Sequence, residues 1–347
     1  MLAVVRLRSV VACACAGQGQ CDEECDEDQW TNLAPIVIHD RGALRVMRSR
    51  MWCLCVVLAY VTGCKGGSEP LPTSAEKTAL ADTACPRVTN PYFFEVTKDG
   101  RTSHFLGTRH MGVGLDKFPA RVRTTLDEAS LLVEEVPPGE HDKPIVTPEP
   151  LRDELGPKDW AHLVELAGET AAKRMETTQS VVAALVLVLM YEDLTVTLDR
   201  QIEDRAKAKA IPGAGLETAR FQRDLIARLI DVRLLKAIVE EMPERARFRT
   251  LTREGLERYC SGTEKDVAVV DGFKEEQMLA HGYTRAELDR FQDELVYKRN
   301  ADWIPKLEKL LEQDKVFVAI GAGHLRGPGN VLELLSARGY TITRVTN

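Results

Sequence analysis

The chain lacks most of the short motifs that mark a common catalytic or binding class. It has no G-x-S-x-G elbow to carry a serine nucleophile and no H-E-x-x-H pair to seat zinc on one helix face. Lysine and arginine are not clustered, and a formal net charge of -7 is spread along the 347 residues. A nucleic-acid surface needs concentrated positive charge, so that class of partner is set aside. The apolar runs from Trp52 to Val61 and from Ser180 to Tyr191 are each about a dozen residues, short of the roughly 20 that a membrane-spanning helix requires. Histidine is scarce, at seven residues. What remains is 44% apolar and 29% charged, a globular balance in a chain long enough for one large domain or two ordinary ones.

The N-terminal region reads differently from the rest. Residues 1–46 hold Cys13, Cys15, Cys21 and Cys25 beside an acidic patch, with no amphipathic period and no histidine among those cysteines to complete a zinc set. Residues 47–64 then show arginines, an apolar run and a Thr-Gly-Cys step, the order of a secretory signal. The step is similar to a bacterial lipoprotein signal with Cys64 as the lipidated residue, although Val61 stands where leucine is commoner; a buried helix is the alternative. A signal should open a protein, so the expected start is Met47 or Met51, with residues 1–46 a mis-called start or a disordered extension. Residues 65–90, with "KGGSEPLPTSAEK", read as a flexible tether. Beyond the signal only Cys85 and Cys260 remain, and in an oxidising periplasm the two can pair.

The folded body is expected over residues 91–347. Two short strands joined by Lys-Asp-Gly predict a hairpin, and "SLLVEEV" a strand after a helix near Pro119 to Ala129. "VFVAI", the turn "GAGH", a helix from Val331 to Arg338 closed by Gly339, and "YTITRV" repeat the order strand, turn, helix, strand. The expected class is therefore α/β: two βαβ-type units, over residues 91–140 and 315–347, form a central mixed sheet, with a mostly helical insert over 141–314. Within that insert "RFQRDLIARLIDVRLLKAIVEEM" keeps helical spacing throughout.

His110 and His324 each lie three residues past a glycine at a predicted strand end, where the ligand crevice of an α/β sheet opens. Glycine there permits a sharp turn and the close approach of another group. Such a pair can be two metal ligands, a base with an electrophile, or two helix-entry residues making structural hydrogen bonds. Glu134 and Glu135 end the strand "LLVEEV", and because strand side chains alternate, only one of them can face the crevice. Two histidines, a glutamate and a water match the open coordination of a hydrolytic metal centre. Cys260 in "RYCSG" has no neighbour in sequence that would mark it as a nucleophile.

Taken in order, "FLGTRHMG", "LLVEE", "TLDRQIEDRA", "GLETARFQ", "KRNADW" and the closing GAGH segment resemble the TraB/GumN family, which includes the TIKI proteins. The resemblance runs from about Tyr92 to Val345 and implies a fold akin to the erythromycin-esterase and ChaN-like group. It also implies a divalent-metal-dependent peptidase (Mn, Co or Zn) in which His110, His324 and either Glu134 or Glu135 are catalytic and metal-binding. Asp199, Glu217, Arg299 and Asn300 are implied as orienting or substrate-contacting groups. Arg109 and Met111 depart from the family pattern locally. The expected protein is a lipid-anchored hydrolase of the bacterial cell envelope, facing the periplasm and acting on a peptide or protein substrate. The alternatives are a lipoprotein that binds metal, haem or peptide without turnover, and a membrane-tethered regulator of peptide signalling.

Overall fold

A computed structural model describes residues 80–140, 150–191, 197–242, 245–263 and 275–346. The four N-terminal cysteines, the expected signal with Cys64 and the expected tether up to residue 79 lie outside these. Strands β1 (Phe93–Lys98) and β2 (Arg101–Thr108) form the expected hairpin. Asp99 and Gly100 close it with φ of 51° and 76°, the paired positive values of a two-residue turn that matches strand twist. Helix α1 (Ala120–Asp127) buries Val122 and Leu126 at i and i+4 and leads into β3 (Leu131–Glu134), whose four residues are all buried.

Helices α2 (Leu151–Leu155), α3 (Pro157–Ala167), α4 (Glu169–Met175) and α5 (Ser180–Tyr191) follow. Next come α6 (Leu198–Ala208), the short strand β4 (Gly213–Gly215), α7 (Ala219–Leu229), α8 (Val232–Glu241) and α9 (Arg245–Ser261). The stretch expected as one helix is two, α7 and α8. Ile230 takes an extended conformation, and the Asp231 carboxylate accepts from the Arg233 amide, so a new helix is capped in mid-sequence. After α10 (Glu275–Ala280) and α11 (Arg285–Gln292), a π-helical turn (Asp293–Tyr297) runs into α12 (Lys298–Leu310). Strand β5 (Val316–Gly321), a 3₁₀ turn (Ala322–Leu325), α13 (Val331–Ser336) and β6 (Thr341–Arg344) complete the chain.

The six strands form one mixed sheet in the order β4-β3-β5-β2-β1-β6. Only β1 runs against the others. Both expected strand-helix-strand units are present, but they interleave. The crossover from β2 to β3 leaves a gap that β5 fills, and the crossover from β5 to β6 passes β2 and β1. Alternate residues of the central strands serve two cores. Leu106, Leu132 and Phe317 pack with α1, α6 and α9, whereas Phe105, Val133 and Val318 pack with α12 and α13. The middle of the chain is therefore no separate cover, since β4 joins the sheet and three of its helices face it. A third core is helical, built around α3, α5 and α8.

The body also starts earlier than Pro91. Leu80, Ala84, Cys85 and Val88 are buried, and Cys85 forms a disulfide with Cys260 across 175 residues, with Cα atoms 5.8 Å apart. The end of the expected tether is thus part of the core, because a buried covalent link fixes it. Among the described residues no helix is long and apolar enough to cross a membrane.

Candidate functional site

Strands β2, β3, β4 and β5 run in the same direction, so their carboxyl ends share one edge of the sheet. His110 follows β2, Glu135 follows β3, Glu217 follows β4 and His324 follows β5. Glu217 is delivered by the turn after β4, where its amide donates to the Glu135 carbonyl at 2.8 Å. The loop of His110 is tied to α6, because the Leu198 amide donates to the His110 carbonyl at 3.2 Å and Met111 bridges to Thr197. This places Asp199, in the first turn of α6, against the imidazole.

The His110 Nδ1 is 2.9 Å from Asp199 Oδ2, and the imidazole side chain keeps 47% of its surface exposed. A buried carboxylate at Nδ1 fixes the tautomer with the proton on Nδ1 and the lone pair on Nε2. Desolvation works against the charged imidazole, yet Asp199 outweighs it and raises the His110 pKa above 6.5. Burial likewise pushes the Asp199 carboxyl up, and His110 brings it below its usual value.

His324 is set in the same tautomer from the other face of the sheet. Its Nδ1 donates to Asn300 Oδ1 at 2.6 Å, and the Asn300 amide nitrogen donates to the Gly329 carbonyl at 3.0 Å. The Trp303 ring packs on the imidazole with centroids 4.5 Å apart. Burial, helped by the nearby Arg299 charge against an opposing Glu135, lowers the His324 pKa to about 3, so this imidazole is neutral.

Glu135 joins the two halves. Its Oε1 accepts from the Gly321 amide at 2.9 Å and lies 3.7 Å from His324 Nε2. Its Oε2 accepts from Gln222 Nε2 at 2.9 Å and Arg299 Nη2 at 2.8 Å. Burial would raise the pKa of this carboxyl, but Arg299 holds it well below the usual range. Arg299 in turn is clamped by Glu217 through contacts of 2.7 and 3.1 Å, and its Nη1 reaches His324 Nε2 at 3.3 Å. The Trp303 indole donates to the same Glu217 at 3.0 Å.

Glu134 faces the other way. It is 3% exposed, neither carboxylate oxygen meets a hydrogen-bond partner, and burial together with Glu203, Asp199 and Glu135 raises its pKa well above 4.5. Of the Glu-Glu doublet, Glu135 is therefore the residue brought to the two histidines. Asp199, Asn300, Arg299 and Glu217 all lie around that trio, each in contact with a member of it or with Arg299.

Gly321 forms the floor. A Cβ placed there would lie 3.1 Å from Glu135 Oε1 and 3.6 Å from both His110 Nε2 and His324 Cδ2. Three potential donor groups thus surround a space that the missing side chain leaves open. Both imidazoles carry the proton on Nδ1 and the lone pair on Nε2, that of His324 accepting from Arg299 Nη1 at 3.3 Å. A carboxylate held ionised stands beside them, so the residue types and tautomers fit a divalent cation that displaces the Arg299 contact. Among the described residues, no three of His, Cys, Asp and Glu already stand at mutual chelating distance. Gln222 and Trp303 were not singled out by the sequence. Their signal is helical spacing, since Gln222 is a polar residue on the buried face of α7 and Trp303 lies one turn after Arg299.

The model of the TraB/PrgY/gumN family matches residues 92–344, more than half of the chain. The chain belongs to the TraB/PrgY/gumN family. No curated protein and no solved structure matches it. In this family member the matched span covers all six strands of the sheet and every residue placed around Gly321.

Proposed function

We propose that the cleft over Gly321 is the active site of a metal-dependent hydrolase, with a peptide or protein as substrate. One observation carries the reading: two imidazoles from two strand ends, each held at Nδ1, border the same glycine-cleared space, His110 with Nε2 and His324 with its Cδ2 edge, beside an ionised Glu135. His110, His324 and Glu135 would hold the cation (Mn, Co or Zn), which when bound acidifies water and polarises the substrate carbonyl. A carboxyl pKa held so low suits a ligand better than a general base, whose pKa should lie near the working pH. Arg299 keeps Glu135 a carboxylate, Asp199 and Asn300 fix the two imidazoles, and Trp303 shields His324 from water. The buried Cys85–Cys260 disulfide supports an oxidising compartment, in line with export to the periplasm and a lipid anchor at Cys64.

A second reading rests on Arg299, which already places a positive charge 3.3 Å from His324 Nε2. In that case the His110–Asp199 pair takes the proton of the attacking water without a cation, and Arg299 stabilises developing negative charge.

The test uses the full chain, a peptide library, and Mn²⁺, Co²⁺ or Zn²⁺ added after treatment with a chelator. Cleavage that needs the cation and disappears in both His110→Ala and His324→Ala supports the first reading. Chelator-resistant cleavage lost in His110→Ala supports the second. Metal binding without turnover assigns a binding role, and full activity in both variants removes the site.

A further inference from the structure

Two large apolar side chains stand out as exposed among the described residues, Phe221 at 48% and Tyr297 at 37%. Both belong to elements that supply the site. Phe221 precedes Gln222, which holds Glu135 Oε2, and Tyr297 lies two residues before Arg299, which holds the same oxygen. Gln222 and Arg299 meet at one end, while Arg228 and Glu294 pair at 2.6 Å at the other. Helix α7 and the π turn with α12 therefore run antiparallel, side by side. That register sets Phe221 and Tyr297 about one helical turn apart along the same rim. The π turn matters here, since its wider winding puts Val296 in the core and Tyr297 outside, and π turns often mark functional positions. Tyr297 is also the neighbour a side chain at Gly329 would meet, at 3.8 Å, and the Gly329 carbonyl anchors Asn300.

Most of the charges around this rim are already paired. Arg220 lies 3.5 Å from Asp224, Arg290 lies 3.1 Å from Glu294, and Lys298 lies 2.8 Å from Asp293. Little unbalanced charge is left to select an ionic ligand, whereas two aromatic faces remain without cover. Resting on the hydrolase reading and extending it, we propose that Phe221 and Tyr297 form a subsite for an apolar side chain of the bound peptide. The substrate class is then a peptide carrying a large hydrophobic residue, aromatic or aliphatic, close to the bond presented over Gly321.

The test measures binding, so that it does not depend on turnover. Fluorescein-labelled octapeptides of glycine and serine, with Phe, Leu, Gly or Glu at one central position, are titrated into the full chain and into Phe221→Ala, Tyr297→Ala and Tyr297→Phe. Wild type should bind the Phe and Leu peptides at least about 10-fold more tightly than the Gly and Glu peptides. Each alanine variant should lose most of that preference with its melting temperature unchanged, and Tyr297→Phe should keep it. Equal binding of all four peptides by wild type, or an intact preference in both alanine variants, overturns the proposal. A preserved preference in a protein that cleaves nothing would instead overturn the hydrolase reading and leave the subsite standing.

Discussion

Asn300 Oδ1 accepts the Nδ1 proton of His324 at 2.6 Å while its own amide nitrogen is held by the Gly329 carbonyl. The second contact orients the amide, so its oxygen, not its nitrogen, meets the imidazole. Asn300→Ala should therefore release the His324 tautomer and reduce activity roughly 10–100-fold. The ¹⁵N shifts of His324 check it: a single Nδ1–H tautomer in wild type should become a mixture in the variant. An unchanged tautomer would show that Arg299, which donates to Nε2, sets it instead.

Gly321→Ala puts a methyl group into the space shared by Glu135 Oε1 and His110 Nε2. The backbone there is extended enough for alanine, since Gly321 has φ of -51°. The fold should persist, with a melting temperature within a few degrees of wild type, while activity falls about 100-fold because the groups are pushed apart. Near-normal turnover would place the reacting atoms elsewhere.

Glu134 gives a dependence of stability on pH. Its folded pKa is raised, so the folded state binds the proton more tightly than the unfolded chain. The resulting stability is full below the unfolded value of 4.5 and is lost as pH rises from there through the folded pKa. Glu134→Gln keeps the shape without a proton to lose. It should flatten the fall in stability above pH 4.5 and leave the variant more stable than wild type at neutral pH, as read by urea unfolding across a pH series. A variant less stable than wild type at every pH would show that the carboxyl has a partner that an amide cannot replace.

Reduction of Cys85–Cys260 opens a loop of 175 residues. The chain-entropy account assigns such a long loop roughly 5 kcal/mol, so Cys85→Ser or added dithiothreitol should lower the melting temperature clearly. Cys260→Ser should act alike, and the double variant no more than either single one. Additive losses would point to packing by each sulfur rather than to the link between them.

Much of this site was legible because its signals are local. Glycine followed by histidine after an apolar run marks a strand end whatever the rest of the chain does, and both such turns lie where they were expected. The Glu134–Glu135 choice was not legible, since alternation says only that the two oppose each other; the opposing faces are assigned by α6 and α12, which lie far along the chain. Strand β4 carries only Gly-Ala-Gly and shows no alternation, so nothing local announces it; pairing with β3 creates it. The break between α7 and α8 was missed for the opposite reason, an apolar period that continues through a cap at Asp231. The interleaving of the two crossovers is a property of pairing over long separations, which spacing along the sequence does not record.

That interleaving governs how the protein comes into being. Strand β5 fills the gap between β2 and β3, yet it starts at Val316, more than 180 residues after β3 ends. A growing chain that has exposed everything up to Leu310 still has its sheet split down the middle, with His110 and Glu135 on separate halves. The stretch from Val316 to His324 brings the central strand, the glycine floor and the second histidine in one step. The cluster around Gly321 thus cannot form in a half-made copy, and assembly waits on contacts of long sequence separation, which are slow to form.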